Sequence, residues 1–313
     1  METAVALKED VKRYELDWTY YGRMFLFENG GGINSKSTVS TYMSVINTFA
    51  RYIEEQKVTA PTAYDALGFV GWLKERDRSP LTVEYYATVL RRYFAFLSEK
   101  KAYPNIFEGV EAKAKKSKGP TRNTLQDEEL AKLRAYMKRQ KGQRARRDRL
   151  VVELMAYNGL RCCEVARLRV EDLKQVGDKY LLYPHRKGRV KPDPNDVLFM
   201  LPELYRAIQA YLKKFGVKSG YIFRDVTHKS GTSHLTPCTI SYTISDWMRR
   251  AGIKSRNCTP HSLRHRFATA LVEAGVHIRK VQRAMGHSDL QSTLVYLHDS
   301  AYVKDPPELV LVY

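Results

Sequence analysis

The sequence has few cysteines, no long apolar run and no internal repeat. No apolar stretch approaches the roughly 18 residues of a membrane-spanning helix, so no membrane partner is expected. Residues 1–10 carry acids and lack an apolar segment, which argues against a signal peptide. The cysteines fit neither a disulfide framework nor a zinc pattern, and they favour a reducing, cytoplasmic location. They are Cys162, Cys163, Cys238 and Cys258.

Acidic residues are scarce relative to basic ones. The chain has 53 lysines and arginines against 34 acids, a net charge of +19. Residues 1–110 are balanced, whereas residues 111–149 contain 14 basic and only 5 acidic residues. Such an excess attracts polyanions, and counterion release makes a phosphate backbone the natural partner. A solvated basic surface is the plainer interpretation, but this concentration of charge favours nucleic acid.

The first part of the chain predicts a small all-helical domain at residues 35–111, because apolar residues follow helical spacing there. Its helices are predicted to begin near Thr38, at Tyr64 and at Ser79-Pro80, where proline occupies the first turn. Residues 1–34 are an N-terminal extension whose structure and role stay open. Residues 112–122 form a basic linker with almost no apolar residues.

Residues 123–302 predict a second domain, and the fold class is mainly α with a small antiparallel β-sheet. Residues 303–313 are a tail that could pair with a neighbouring subunit or pack on its own domain. The elements predicted with bounds are helices at about Asp127–Lys138, Leu150–Asn158 and Cys163–Leu168, and strands at Tyr180–Tyr183 and Asp196–Leu201.

Six residues of the second domain combine groups that bind phosphate, move protons and act as nucleophiles. They are Arg161, Lys187, His261, Arg264, His287 and Tyr296. Guanidiniums can hold two phosphate oxygens each, lysine and imidazoles can transfer protons, and a phenol can attack phosphorus. Fixed arginines would stabilise a phosphoryl-transfer transition state as Mg²⁺ does elsewhere. The set therefore favours cutting of a phosphodiester with no metal or cofactor.

Each of these residues also has a plainer interpretation. Arg161 could be a surface arginine paired with Glu164. A lone histidine in a turn, such as His287, is more often structural than catalytic. The chain has 21 tyrosines, so Tyr296 alone would be interpreted as a half-buried ring. Its assignment depends on its neighbours, above all on His261 and Arg264, which share one face of a helix that Thr259-Pro260 would begin.

The order of these motifs resembles that of the tyrosine recombinases, the integrase and Xer-type site-specific recombinases. The matching residues are Gly159-Leu160-Arg161-x-x-Glu164, Lys187-Gly188, His261-x-x-Arg264-His265, Gly286-His287-Ser288 and Tyr296. The resemblance spans about residues 35–300 and is most specific from His261 to His298.

This resemblance implies a two-domain DNA clamp, made of a helical core-binding domain and a mixed α/β catalytic domain. Tyr296 would attack the scissile phosphate and form a 3′-phosphotyrosyl link, while Arg161 and Arg264 bind that phosphate. Lys187 would be the general acid, His261 would assist as acid or base, and His287 would bond a phosphate oxygen. A tetramer on double-stranded DNA would exchange strands through a Holliday junction, at the nucleoid or in the cytoplasm. Whether accessory proteins take part stays open.

The hairpin departs from the pattern of the family. Tyrosine recombinases commonly have Gly-Lys-Gly there, whereas this chain has Arg186-Lys187-Gly188. Lys191 or Arg186 could therefore be the acid instead of Lys187. Basic side chains of the linker and the hairpin are expected to contact DNA, namely Lys113, Lys115, Lys116, Lys118, Arg186 and Arg189.

Two other functions would also fit the motifs. A type IB topoisomerase or telomere resolvase has the same catalytic residues, and an architectural DNA-binding protein could keep the clamp without the chemistry. The intact set of residues argues against loss of the chemistry. A helix-turn-helix repressor fits less well. The sequence does not give the target site, the direction of recombination, or whether Tyr296 acts within its own subunit.

Overall fold

The structure is a computed structural model that describes residues 17–28, 36–113, 125–189, 191–225, 234–253 and 258–296. The chain divides into two compact units, 1–116 and 117–313. This division falls inside the predicted linker. Most of the predicted N-terminal extension lies outside the described residues, as do Lys115, Lys116, Lys118 and the tail at 303–313.

Helices are the only regular secondary structure among the described residues of the first unit. Its helices are α1 (Trp18–Glu28), α2 (Lys36–Glu55), α3 (Ala63–Glu75) and α4 (Pro80–Glu99). The Ser79 side chain caps α4 by accepting a hydrogen bond from the Thr82 backbone at 3.2 Å. Aromatic rings fill the core, where Phe49 meets Phe69 and Phe94 edge to face at 5.1 and 5.6 Å between ring centres. The predicted helical pattern is therefore confirmed for this unit.

The second unit opens with α5 (Asp127–Arg139), α6 (Gln143–Asn158) and α7 (Cys162–Arg167). The prediction that α6 begins at Leu150 was wrong by two turns. Arginine favours helix, and tertiary partners hold the arginines of the first turns. Arg147 donates to the carbonyl of Arg224 at 3.0 Å, and Arg149 donates to the carbonyl of Met137 in α5 at 3.3 Å.

A three-stranded antiparallel sheet follows, in the order β1 (Leu173–Val176), β2 (Lys179–Leu182) and β3 (Leu198–Phe199). Leu182 pairs with Leu173 on one side and with Leu198 on the other. The two predicted strands exist, although β3 is shorter than predicted. Strand β1 was not predicted, because its last three residues are exposed and show no apolar alternation. The small antiparallel sheet within a mainly helical chain confirms the predicted fold class. The loop 183–197 between β2 and β3 carries Lys187, as the predicted hairpin does.

The remaining helices are α8 (Pro202–Lys214), α9 (Pro237–Arg250), α10 (Pro260–Glu273), α11 (Ile278–Met285) and α12 (Gln291–Leu294). Thr259 precedes α10 and Pro260 is its first residue, as predicted. Gly286 ends α11 in the left-handed conformation, with φ of 57°. Across the described ranges, no helix combines the length and apolarity needed to cross a membrane.

Trp247→Phe is expected to destabilise the second unit. The indole N–H of Trp247 donates to the buried carboxylate of Asp148 at 2.9 Å, and Asp148 is 2% exposed. Loss of a donor to a buried carboxylate costs about 1–3 kcal/mol. Trp72→Phe is the matched control, because the buried indole N–H of Trp72 has no hydrogen-bond partner among the described residues. Hydrogen exchange of core amides under urea measures the free energy of unfolding of each unit separately. Equal losses would show that ring packing, and not this hydrogen bond, stabilises the unit.

Candidate active site

The C-terminal end of α11 holds three arginines from distant parts of the chain. Arg186 donates to the carbonyl of Ala284 at 3.1 Å, Arg264 to that of Met285, and Arg161 to that of Gly286 at 3.4 Å. The last carbonyls of a helix lack donors within the helix and lie at the negative end of its dipole. One helix end therefore positions three guanidiniums.

A single buried carboxylate lies among these arginines. Glu164 in α7 is 0% exposed. Its oxygens lie 2.8 Å from Arg161, 3.6 Å from Arg264 and 3.7 Å from Arg186. The pairing of Arg161 with Glu164 that sequence analysis considered does exist, but it is not an exposed surface pair, because Glu164 is buried. Asp196 also pairs with Arg186 at 2.8 Å, so three guanidiniums beside two carboxylates leave one excess positive charge, which favours a phosphate.

Arg264 is the more deeply buried of the two predicted phosphate ligands and is 3% exposed. It also donates to the carbonyl of Gly159, so α10 is tied to the turn before α7. Burial, followed by the nearby charge of Arg161, lowers the pKa of Arg264 to about 10. The guanidinium therefore remains charged at neutral pH.

His287 follows the cap of α11 directly, at the predicted helix end. Its Nδ1 lies 2.8 Å from the hydroxyl of Thr293, which is fully buried. Burial, followed by the nearby charges of Arg264 and Arg161, lowers the pKa of His287 to about 4. His287 is therefore neutral at neutral pH, and Thr293 fixes the orientation of its ring.

The depressed pKa of His287 is expected to make the fold less stable in acid. As pH falls from 6.5 towards about 4, the unfolded chain takes up a proton that folded His287 refuses. The expected loss is about 1–2 kcal/mol after allowance for solvent screening of a half-buried ring. Urea midpoints at neutral and acid pH, compared between wild type and His287→Gln, measure this contribution. An unchanged pH dependence in the variant would contradict it.

Tyr296 lies inside the site, 4% exposed. Its hydroxyl is 2.8 Å from Nδ1 of His265, and its ring lies nearly parallel to that of His287 with centres 6.5 Å apart. Burial raises the pKa of Tyr296, while the charges of Arg264 and Arg161 lower it. His265 was not among the site residues predicted from the sequence. The available signal was its position one helical turn after His261.

Two adjoining cavities gather the predicted residues. The smaller, of about 320 Å³, is lined by five of the six together with His265 and Ser292. The five are Arg161, His261, Arg264, His287 and Tyr296. Lys187 lines a larger cavity of about 600 Å³ that shares Arg161, His287 and Ser292 with the smaller one. The structure thus brings five predicted residues together and places the sixth beside them.

The residues predicted to contact DNA are placed differently from one another. Lys113 is exposed and paired with Glu111 at 2.8 Å, and Arg189 is exposed and paired with Asp193. Lys187 and Lys191 are both exposed on the loop 183–197. Arg186, in contrast, is only 6% exposed. The structure therefore places Arg186 among the buried supports of the site and not on an exposed surface.

Known proteins resemble this chain over most of its length. Residues 123–302 match the Phage integrase family. The tyrosine recombinase XerA of Pyrococcus furiosus is 31% identical over 275 residues, which cover 85% of each chain. This chain belongs to the tyrosine recombinase family. The assignment made from the sequence is confirmed, and the chain is a DNA strand-transfer enzyme of the kind that performs site-specific recombination.

More distant members of the family support the same fold. The tyrosine recombinase XerD of Listeria innocua is 26% identical over 271 residues, covering 84% of this recombinase and 88% of XerD. A structure of a lambda integrase dimer bound to a COC′ core site has a TM-score of 0.68 at 16% identity, covering 95% of this chain and 80% of that one. XerH bound to difH substrate before cleavage has a TM-score of 0.67 at 19% identity, covering 95% and 85%.

Proposed function

We propose that this recombinase cuts and rejoins double-stranded DNA through a covalent 3′-phosphotyrosyl intermediate on Tyr296. The observation that carries this proposal is the smaller cavity, in which Arg161, Arg264 and His287 lie around the phenol. Preorganised donors of this kind stabilise the charge that develops on a phosphate during attack. The basic excess at residues 111–149 and the DNA-bound structures of lambda integrase and XerH support DNA as the partner.

In the proposed cleavage step, the oxygen of Tyr296 forms a bond to phosphorus and the bond from phosphorus to the 5′-oxygen breaks. The Tyr296 proton must leave, and His265 Nδ1, 2.8 Å from the phenol, is placed to receive it. His261 assists proton transfer from the exposed face of α10. Lys187 donates a proton to the departing 5′-oxygen, with Lys191 as the alternative on the same loop. Reversal of the step by a second 5′-hydroxyl rejoins the strands.

Arg161 and Arg264 hold the non-bridging phosphate oxygens in this proposal, and neutral His287 bonds another. The arginines supply fixed positive charge that would otherwise have to come from a metal ion or reorganised water. Because the bond energy stays in the phosphotyrosyl link, rejoining needs no nucleotide. We further infer that a tetramer on two duplexes exchanges strands through a Holliday junction.

The test is to trap the covalent intermediate. The protein is incubated in EDTA with nicked duplex fragments pooled from the source genome, so that a cleaved strand diffuses away and religation stops. We expect a DNA adduct that survives denaturation and maps by proteolysis to the peptide containing Tyr296. Sequencing of the trapped DNA then gives the target site. Salt-sensitive binding without any adduct would favour an architectural DNA-binding protein instead.

A supercoiled plasmid separates recombination from topoisomerase activity. If a plasmid with two trapped sites gives recombinant products and a plasmid without sites stays supercoiled, recombination is supported. Efficient relaxation of the plasmid without sites would instead support the type IB topoisomerase alternative.

A further inference from the structure

Three consecutive buried residues, Pro184, His185 and Arg186, precede Lys187 in the loop 183–197. His185 is 7% exposed and its Nε2 lies 2.8 Å from the carboxylate of Asp172. Arg186 is 6% exposed, whereas Lys187 is the first exposed residue of the loop. A lysine side chain is long and flexible, so its position depends on how firmly its backbone is held.

Arg186 joins three separate parts of the second unit. Its guanidinium binds both carboxylate oxygens of Asp196, near the far end of the same loop, at 2.8 and 3.0 Å. It also donates to the carbonyl of Ala284 at 3.1 Å and lies 3.7 Å from Glu164. The two-pronged ion pair has the geometry of the strongest arginine–carboxylate contacts.

The packing of Arg186 against α11 depends on a glycine. A Cβ on Gly286 would lie 2.5 Å from Nε of Arg186. Gly286 is also the left-handed cap of α11, whose last carbonyls hold Arg161 and Arg264. Arg186 therefore fixes the loop to the same helix end that positions the two predicted phosphate ligands.

The backbone carries this fixed position on to Lys187. The carbonyl of Arg186 accepts a hydrogen bond from the Arg189 backbone at 3.0 Å, which closes a tight turn. Lys187 is the first of the two central residues of that turn, and Gly188 is the second, with φ of 86°. An anchor at Arg186 thus sets the direction in which Lys187 leaves the fold.

We propose that Arg186 is a positioning residue for Lys187, which it aligns with the phosphate ligands by tying the turn to Asp196 and to the end of α11. This inference rests on the proposed function, in which Lys187 protonates the leaving 5′-oxygen. Arg186 occupies the position of the first glycine in the Gly-Lys-Gly turn that is common in the family, and the proposal gives that arginine a role. Arg186 acts through Lys187 and need not touch the DNA.

The test compares two leaving groups at the trapped site. One nicked substrate has the normal 5′-oxygen at the scissile phosphate, and the other has 5′-sulfur. A thiolate leaves without a proton, because the pKa of a thiol, about 8.5, is far below that of an alcohol. Arg186→Met is expected to slow cleavage of the oxygen substrate by about 10²-fold, the lower range for loss of a general acid. Cleavage of the sulfur substrate should recover to near the wild-type rate.

A double variant and a matched control sharpen the result. In a Lys187→Ala background, Arg186→Met is expected to slow cleavage no further, because both changes remove the same step. Arg206→Met, on an exposed part of α8, is the control and should match wild type on both substrates. Equal losses on the oxygen and sulfur substrates, or additive losses in the double variant, would overturn the inference.

Two further outcomes separate this inference from the proposed function. If wild type forms no adduct, or if sulfur does not rescue Lys187→Ala, the proposed chemistry fails first. If Arg186→Met does not fold, Asp196→Asn decides the question by weakening the same anchor from the other side. Rescue of Asp196→Asn by sulfur supports the inference, and an equal loss on both substrates overturns it.

Discussion

Tyr296→Phe is expected to abolish the covalent adduct, a loss of at least about 10⁴-fold in cleavage rate. Only the phenol oxygen can form the bond to phosphorus, and phenylalanine keeps the ring while removing that oxygen. The ring is 4% exposed, so its packing persists, while the hydroxyl's 2.8 Å contact with His265 is lost. We expect binding of the trapped site to stay within about threefold of wild type, because the arginines and the basic surface are unchanged.

The measurement pairs a denaturing gel for the adduct with a filter-binding assay for the DNA. Tyr242→Phe on α9 is the control, since Tyr242 is 74% exposed and lines neither cavity of the site. That variant should form the adduct at the wild-type rate. An adduct that persists in Tyr296→Phe would move the nucleophile elsewhere, and Tyr302, outside the described residues, would be tested next.

Local sequence signals predicted much of this site. The cap and proline at Thr259-Pro260 predicted where α10 begins, so the shared face of His261 and Arg264 could be inferred from their spacing. The Gly-His pair at 286–287 predicted the end of α11. Such features depend on residues within one or two helical turns, which a sequence displays directly.

The supports of the site could not be predicted in this way. The carbonyl of Gly286 binds Arg161, which is 125 positions away in the sequence, and that of Ala284 binds Arg186, which is 98 positions away. Nothing in the local pattern distinguishes the buried Arg186 from the exposed Arg189, because both are single arginines in a basic loop. Burial of Glu164 likewise depends on how α7, α10 and the loop 183–197 meet. Long-range packing decided each of these positions.

Replacement of the buried Arg264 is expected to have the second large effect, because this arginine contributes both to cleavage and to the stability of the fold. Its guanidinium holds the carbonyls of Gly159 and Met285 and lies 3.6 Å from Glu164. Arg264→Ala would leave two buried carbonyls without this donor and would open a cavity beneath the site. The expected cost is about 2–4 kcal/mol in the free energy of unfolding.

Cleavage is expected to fall by about 10³-fold or more in Arg264→Ala, because a fixed charge on the phosphate is lost. Arg264→Lys should restore little, since an ammonium cannot span two carbonyls and still present two donors to a phosphate. These rates are measured as adduct formation on the trapped site, alongside urea midpoints that report the stability of each variant.

Arg161→Ala is the comparison that separates the two roles of Arg264. The side chain of Arg161 is 20% exposed, against 3% for Arg264, and its bonds to Glu164 and Gly286 lie closer to solvent. We therefore expect a similar loss of cleavage rate in Arg161→Ala but a smaller loss of stability than in Arg264→Ala. If both variants lost stability equally, burial would not explain the difference between the two arginines. If Arg264→Lys cleaved at the wild-type rate, the forked geometry of arginine would not be required, and the phosphate would need only a positive charge at that position.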